Sequence, residues 1–102
     1  MIDALVITKN EELNLPHCLQ ALAGWTRHVF VVDSGSTDRT CELARELGAE
    51  VVQHEWEGYA AQKNWALDTL PFEGEWTLII DADEVITPKL RDQLVAIAKR
   101  PV

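Results

Sequence analysis

The sequence predicts an α/β domain: three α/β/α layers around a mainly parallel sheet, in the strand order 3-2-1-4. Three observations carry this. Short apolar, β-branched runs alternate with segments whose apolar residues recur at helical spacing. The strand runs lack alternating polar residues, as strands covered on both faces do. A helical segment follows each strand, which implies parallel pairing through right-handed crossovers. At 102 residues, the chain is expected to form one domain, residues 1–102.

Ala4-Leu5-Val6-Ile7-Thr8 reads as the first strand. Asn14 is expected to cap the first helix, with Pro16 in its first turn and Leu15, Cys18, Leu19 and Leu22 as its apolar stripe. Gly24 ends it. Val29–Val32 is the second strand, closed by Asp33. A polar loop follows, Ser34-Gly35-Ser36-Thr37-Asp38, in which Thr37 or Asp38 caps the second helix. Thr40, Leu43, Ala44 and Leu47 form that helix's stripe, and Gly48 stops it. Glu50–Gln53 is a short third strand, and Tyr59 to about Leu70 a third helix with a weaker stripe. Trp76–Ile80 is the fourth strand and runs into Asp81-Ala82-Asp83-Glu84. Thr87 caps the last helix, Pro88 takes its first position, and Leu90, Leu94 and Ile97 supply its inner face. Most of the four tryptophans are expected in the core, with Trp56 covering a crevice instead.

Acids outnumber bases 17 to 9, for a net charge of −8. That balance argues against a nucleic-acid partner, which needs clustered Lys and Arg, and against electrostatic docking on anionic lipid. Hydrophobic residues at 47% exclude a disordered chain. No apolar run approaches the roughly 20 residues of a membrane-spanning helix. The first residues, Met1 to Val6, lack a basic n-region, so the expected location is cytoplasmic. Cys18 and Cys41 read as buried, reduced thiols, with neither a CxxC nor a metal spacing. His17, His28 and His54 read as surface or boundary residues.

In open parallel sheets, ligands bind outside the carboxyl ends of the strands. Three polar clusters fall at such ends: Thr8 to Glu12, Asp33 to Asp38, and Asp81 to Glu84. With strands one and four adjacent, the three are expected to line one crevice. In an extended segment Asp81 and Asp83 point the same way, roughly 6.6 Å apart at about 3.3 Å per residue, and Ala82 points inward. Two such carboxylates repel unless a cation is present. Hard cations such as Mg²⁺ or Mn²⁺ prefer these oxygens, with waters and substrate phosphates completing the shell. The pair therefore reads either as a site for a metal-chelated diphosphate or as a solvated acidic turn before the next helix. Gly35 leaves its loop free to wrap a base or ribose. By pattern alone Lys63 is an exposed helix lysine, and Glu11 and Glu12 are first-turn acids. There is no GxGxxG, Walker loop or catalytic triad.

Four stretches together resemble family 2 glycosyltransferases, which have the A-type, Rossmann-like nucleotide-sugar fold. They are Val6-Ile7-Thr8-Lys9-Asn10-Glu11-Glu12, Val31-Val32-Asp33-Ser34-Gly35-Ser36-Thr37-Asp38, Ala61-Gln62-Lys63-Asn64 and Ile80-Asp81-Ala82-Asp83-Glu84. They occur in the family's order, and their form is most similar to the lipopolysaccharide-core β-1,4-glucosyltransferase branch. The resemblance implies roles. Thr8 to Glu11, with the Asp33-Ser34 turn, hold uracil and ribose of a UDP-sugar such as UDP-glucose. Lys63 faces the diphosphate. Asp81 approaches the ribose or sugar, and Asp83 binds Mn²⁺ or Mg²⁺. Many members carry a second acid where this chain has Ser34, so a hydroxyl stands at the base-contacting position. The resemblance also implies a longer enzyme, with its catalytic base and acceptor surface beyond the fourth strand and its helix. This chain is then the donor-binding part, inactive in transfer by itself. The acceptor is a glycan or lipid-linked oligosaccharide, reached at the cytoplasmic face of the inner membrane. Apolar surface around the fourth strand and last helix is expected to favour a homodimer.

Other classes compete. A sugar-phosphate nucleotidyltransferase would carry a glycine-rich basic loop after the first strand, where this chain has Lys9-Asn10-Glu11-Glu12. A receiver-like signalling domain would carry its acids after strands one and three. A non-catalytic nucleotide-binding or assembly module that keeps the fold remains the alternative, distinguished by failing to bind nucleotide with metal.

Overall fold

A computed structural model describes residues 1–100; the last two residues of the expected 1–102 domain lie outside them. Eight elements alternate: β1 (Ile2–Thr8), α1 (Leu15–Leu22), β2 (His28–Asp33), α2 (Thr40–Glu46), β3 (Glu50–Gln53), α3 (Tyr59–Thr69), β4 (Trp76–Asp81) and α4 (Pro88–Ala98). The sheet order is β3-β2-β1-β4 with every pair parallel, as the sequence predicts.

The two faces of the sheet bury different sets. Ala4, Val6, Val31 and Ile80 pack against Leu15, Cys18, Leu19 and Leu22 of α1 and Ala44 of α2. Leu5, Phe30 and Val32 face the other way, toward Ala66 of α3, with Trp65, Leu70 and Phe72 closing that side. α1 and α2 thus cover one face and α3 the other. The chain changes faces after β3, and a crevice lies at the carboxyl ends of the neighbouring strands β1 and β4.

Several local expectations need correction. Asn14 precedes α1, but its side chain makes no cap bond to the helix. It donates to Glu11 Oε2 at 3.1 Å instead. The turn before the helix already takes the amides of Asn14 and Leu15 on the Glu11 carbonyl, so no side-chain acceptor is needed. The residue before α2 is Arg39, which offers no cap. Asp38, one position earlier, accepts from the Thr40 amide at 3.0 Å. Thr87 does cap α4, accepting from the Leu90 amide at 3.2 Å.

α4 buries none of its residues. Leu90 and Ile97, expected on its inner face, are exposed. Leu94 and Ile97 flank a small apolar groove of about 90 Å³ against Trp76 and Leu78 of β4. β4 is the sheet edge, so only one strand covers it. The same edge position leaves Trp76 exposed, and Trp56 is exposed on its loop. Trp25 and Trp65 are half-buried, so no tryptophan is fully buried. Cys41 is half-buried rather than buried.

At the opposite end of the sheet from the crevice lies a buried carboxylate, Asp3. Arg27 forks onto it, with Nε 2.6 Å from Oδ1 and Nη2 3.0 Å from Oδ2. The amides of Glu73 and Gly74 donate to Oδ2 at 2.8 and 2.9 Å. Gly74 fits because it has no side chain: a Cβ there would stand 2.7 Å from the Met1 carbonyl oxygen.

Candidate functional site

The carboxyl ends of β1, β2 and β3 are stitched together by polar side chains. Asp33 is the centre of the stitching and is fully buried. Its Oδ1 accepts from Thr8 Oγ1 at 2.8 Å and from the Ser36 hydroxyl. Its Oδ2 accepts from the Ser36 amide at 2.8 Å and from Gln53 Nε2 at 3.0 Å. Burial pushes this carboxyl up, but the donors of Ser36, Thr8 and Gln53 outweigh it and hold the group below its ordinary range.

A second set of bonds joins the loop after β1 to the loop after β2. Asn10 stands at φ 52, a left-handed conformation that asparagine tolerates. Its amide donates to Ser36 Oγ at 2.8 Å, and its side-chain oxygen accepts from the Thr37 amide at 2.8 Å. The Glu11 amide donates to Thr40 Oγ1 at 2.8 Å, and the Glu12 amide to Asp38 at 3.3 Å. Gly35, at φ 81, turns the chain between these clips. The two loops are thereby held to each other by the chain's own bonds.

Two adjoining crevices lie above this platform. The first, about 460 Å³, runs between β1 and β4. Thr8, Lys9 and Glu11 form one wall, Asp81 to Asp83 the other, and Trp56 and Tyr59 stand over it. The second, about 440 Å³, lies against Ser34, Gly35, Gln53 and His54. Lys9 and Trp56 line both. The sequence predicts one crevice for the three clusters; the structure divides it at Lys9 and Trp56.

The placement of Asp81 and Asp83 follows the expected alternation by a different backbone. Asp81 ends β4, and Ala82 and Asp83 form a turn closed by the Glu84 amide on the Asp81 carbonyl at 3.0 Å. Ala82 is buried, while both aspartates are exposed and line the same crevice. The Glu84 carboxylate turns back to accept the Asp81 amide at 2.9 Å. Among the described residues, neither Asp81 nor Asp83 is in an ion pair, and no three His, Cys, Asp or Glu side chains converge as a closed metal cage. Two open carboxylates fit a Mg²⁺ or Mn²⁺ ion that keeps waters and takes substrate phosphates.

The remaining candidates fall around this centre. Thr8 is buried with its hydroxyl turned onto Asp33. Asp33 lies beneath the crevices and lines neither. Lys63 lines neither crevice; its Nζ lies 5.8 Å from the centre of the ring of Tyr59, which lines the first. Sequence reasoning gave no separate role to Lys9, Gln53 or Gln62. Gln62 is fully buried on α3 and bonds Ser34 and His54. A lone glutamine in a helix with a weak apolar stripe looks like surface, so its sequence carries no signal of this burial.

Cys18 lies beneath the acidic turn, its Sγ 3.8 Å from the Asp81 carbonyl. Burial, joined by the charges of Glu84, Asp83 and Asp81, pushes its thiol up to about 11. Thiol-reactive reagent at neutral pH is therefore expected to leave Cys18 unmodified until denaturant is added. Native-state labelling of Cys18, read by peptide mass, would show that the turn opens.

Comparison with known proteins bears on the family and the fold. The family model for glycosyl transferase family 2 matches residues 3–102. The lipopolysaccharide core biosynthesis glycosyltransferase LpsC of Rhizobium meliloti is 36% identical over 98 residues, covering 91% of this chain and 35% of LpsC. The structure of S. aureus TarS 1-349 superposes with a TM-score of 0.76 at 29% identity, covering 93% of this chain and 31% of that one. Glucosyl-3-phosphoglycerate synthase from Mycobacterium tuberculosis, in complex with Mn²⁺, uridine diphosphate and phosphoglyceric acid, superposes with a TM-score of 0.66 at 25% identity. That match covers 83% of this chain and 34% of the synthase. The chain spans about a third of the length of the curated relatives it matches. No helix among the described residues is long and apolar enough to cross a membrane. The sheet order, the acidic turn at the end of β4 and the match along nearly the whole chain converge: this chain belongs to glycosyl transferase family 2.

Proposed function

We propose that this domain binds the nucleotide-sugar donor of a metal-dependent inverting glycosyltransferase, with UDP-glucose as the donor. The observation that carries the proposal is the pair of adjoining crevices, with an acidic turn at one end and a hydroxyl-bearing loop at the other. The base and ribose occupy the crevice at Ser34 and Gly35. Thr8 and Asp33 act from beneath, holding that loop in shape. The diphosphate lies between Lys9 and the β4 turn, with Lys63 adding positive charge behind Tyr59. Glu11 lines the first crevice on the side of the ribose, and Asp81 and Asp83 would hold Mn²⁺ or Mg²⁺ there. Bound there, the cation supplies Lewis-acid neutralisation of the departing nucleoside diphosphate. Likeness to LpsC, a lipopolysaccharide core biosynthesis glycosyltransferase, supports a cell-surface glycan of that class as acceptor. The catalytic base belongs to a part of the enzyme outside this domain, so the domain binds donor without transferring sugar.

Calorimetric titration of UDP-glucose tests this, with and without Mn²⁺. Binding is expected to need the metal, and Asp83→Ala is expected to weaken it by about tenfold to a hundredfold, as loss of a metal-supporting group does. Metal-independent binding, or full affinity in Asp83→Ala, overturns the metal assignment. No binding by the folded chain favours the assembly-module alternative.

A further inference from the structure

The second crevice contains a hydrogen-bond chain whose proton positions can be deduced. Gln62 is fully buried on α3. Its Nε2 lies 2.9 Å from Ser34 Oγ and 3.3 Å from the His54 backbone carbonyl. Its Oε1 lies 2.7 Å from His54 Nδ1. The backbone carbonyl can only accept, so the amide NH₂ must face it and the side-chain oxygen must face the imidazole. His54 Nδ1 then carries a proton. The ring is held in place by stacking on Trp65, 3.9 Å between centroids at 25°. Ser34 Oγ accepts from Gln62, and among the described residues nothing accepts the Ser34 hydroxyl proton.

From this we infer that Gln62 is a positioning residue that presents the Ser34 hydroxyl to the second crevice as a hydrogen-bond donor. The Ser34 proton is then free for a ligand acceptor, a carbonyl of the base or an oxygen of the ribose. A carboxylate at the same position could only accept. The inference rests on the donor-site reading above and names the donor that the site offers.

Gln62→Glu reverses that polarity with nearly the same shape. A carboxylate accepts the Ser34 proton and the His54 proton, leaving only lone pairs toward the crevice. Titration of UDP with Mn²⁺ is expected to show Ser34→Ala weakened about twofold to tenfold, the effect of one lost hydrogen bond. Gln62→Glu is expected to lose at least about tenfold, since it leaves an acceptor facing an acceptor. In the Ser34→Ala background, the Gln62→Glu step is expected to cost little, because its effect passes through the hydroxyl. A Gln62→Glu chain that binds as well as the native one overturns the inference. So does a loss that persists undiminished without Ser34, which marks plain charge repulsion or misfolding. Failure of the native chain to bind UDP overturns the donor-site reading itself. Nitrogen-15 spectra of the ligand-free chain at mildly alkaline pH give a separate test. They are expected to show His54 as the Nδ1–H tautomer, and the Nε2–H tautomer overturns the proton assignment.

Discussion

Asp3→Ala is expected to lower stability by about 3–5 kcal/mol, the usual cost of breaking one side of a buried ion pair. The carboxylate is fully buried, while the Arg27 side chain is 22% exposed. Removing the carboxylate leaves a part-buried guanidinium and the two amides of Glu73 and Gly74 without their acceptor. Those amides lead into β4, so the loss loosens the edge strand that carries Asp81. A domain of this size has about 5–15 kcal/mol in all, so the variant falls near the margin of folding. Urea denaturation checks the value. The sign of the pH dependence follows from the same contacts. Burial raises the Asp3 carboxyl, but the bonds from Arg27, Gly74 and Glu73 together hold it below its ordinary value of 3.8. The unfolded chain therefore takes up this proton first as pH falls. The stabilisation is complete above about pH 4 and is lost on further acidification, and Asp3→Ala flattens that acid limb. A near-native midpoint in Asp3→Ala would show that water serves these donors as well as the carboxylate does.

The sheet could be read from the sequence because its strands are buried on both faces: Leu5, Val6, Val31 and Val32 leave no polar phase to mistake. Asp81 and Asp83 were legible for a related reason. A polar pair at the end of an apolar run must emerge where the strand does, whether the next residues extend or turn. Asp3 and Gln62 were not legible. A polar residue in isolation looks like surface. Its burial becomes affordable only through partners far along the chain, such as Arg27, which lies 24 positions from Asp3, and Ser34, which lies 28 from Gln62. The inner face of α4 was misread for the converse reason. Leu90 and Ile97 have the spacing of core residues, but the edge strand beneath them offers too little surface to cover both.

Asp33 links these two kinds of residue, being visible in the motif yet fully buried in the fold. Asp33→Ala is expected to cost on the order of 3 kcal/mol, because buried donors lose a charged acceptor. It is also expected to weaken UDP binding at least about tenfold, since Ser36 and Gln53 are no longer held and the clip from Asn10 through Ser36 loosens with them. Asp33→Asn is expected to recover most of both. The reason lies in which donors meet which oxygen. Oδ1 meets two hydroxyls, Thr8 and Ser36, and a hydroxyl can accept as readily as donate. Oδ2 meets the Ser36 amide and the Gln53 side-chain amide, which donate. An asparagine that keeps its oxygen at the second position and its NH₂ at the first keeps all four contacts without charge, leaving only the two hydroxyl protons to find other acceptors. The asparagine variant should also lose the acid sensitivity that Asp33 contributes. The native carboxyl is held below 3.8 despite its burial, so its stabilisation, like that of Asp3, fades as pH falls below about 4. Thermal unfolding across pH, with UDP titration of both variants, separates the contributions. If asparagine fails as badly as alanine, then charge itself, and not the pattern of donors, organises this loop.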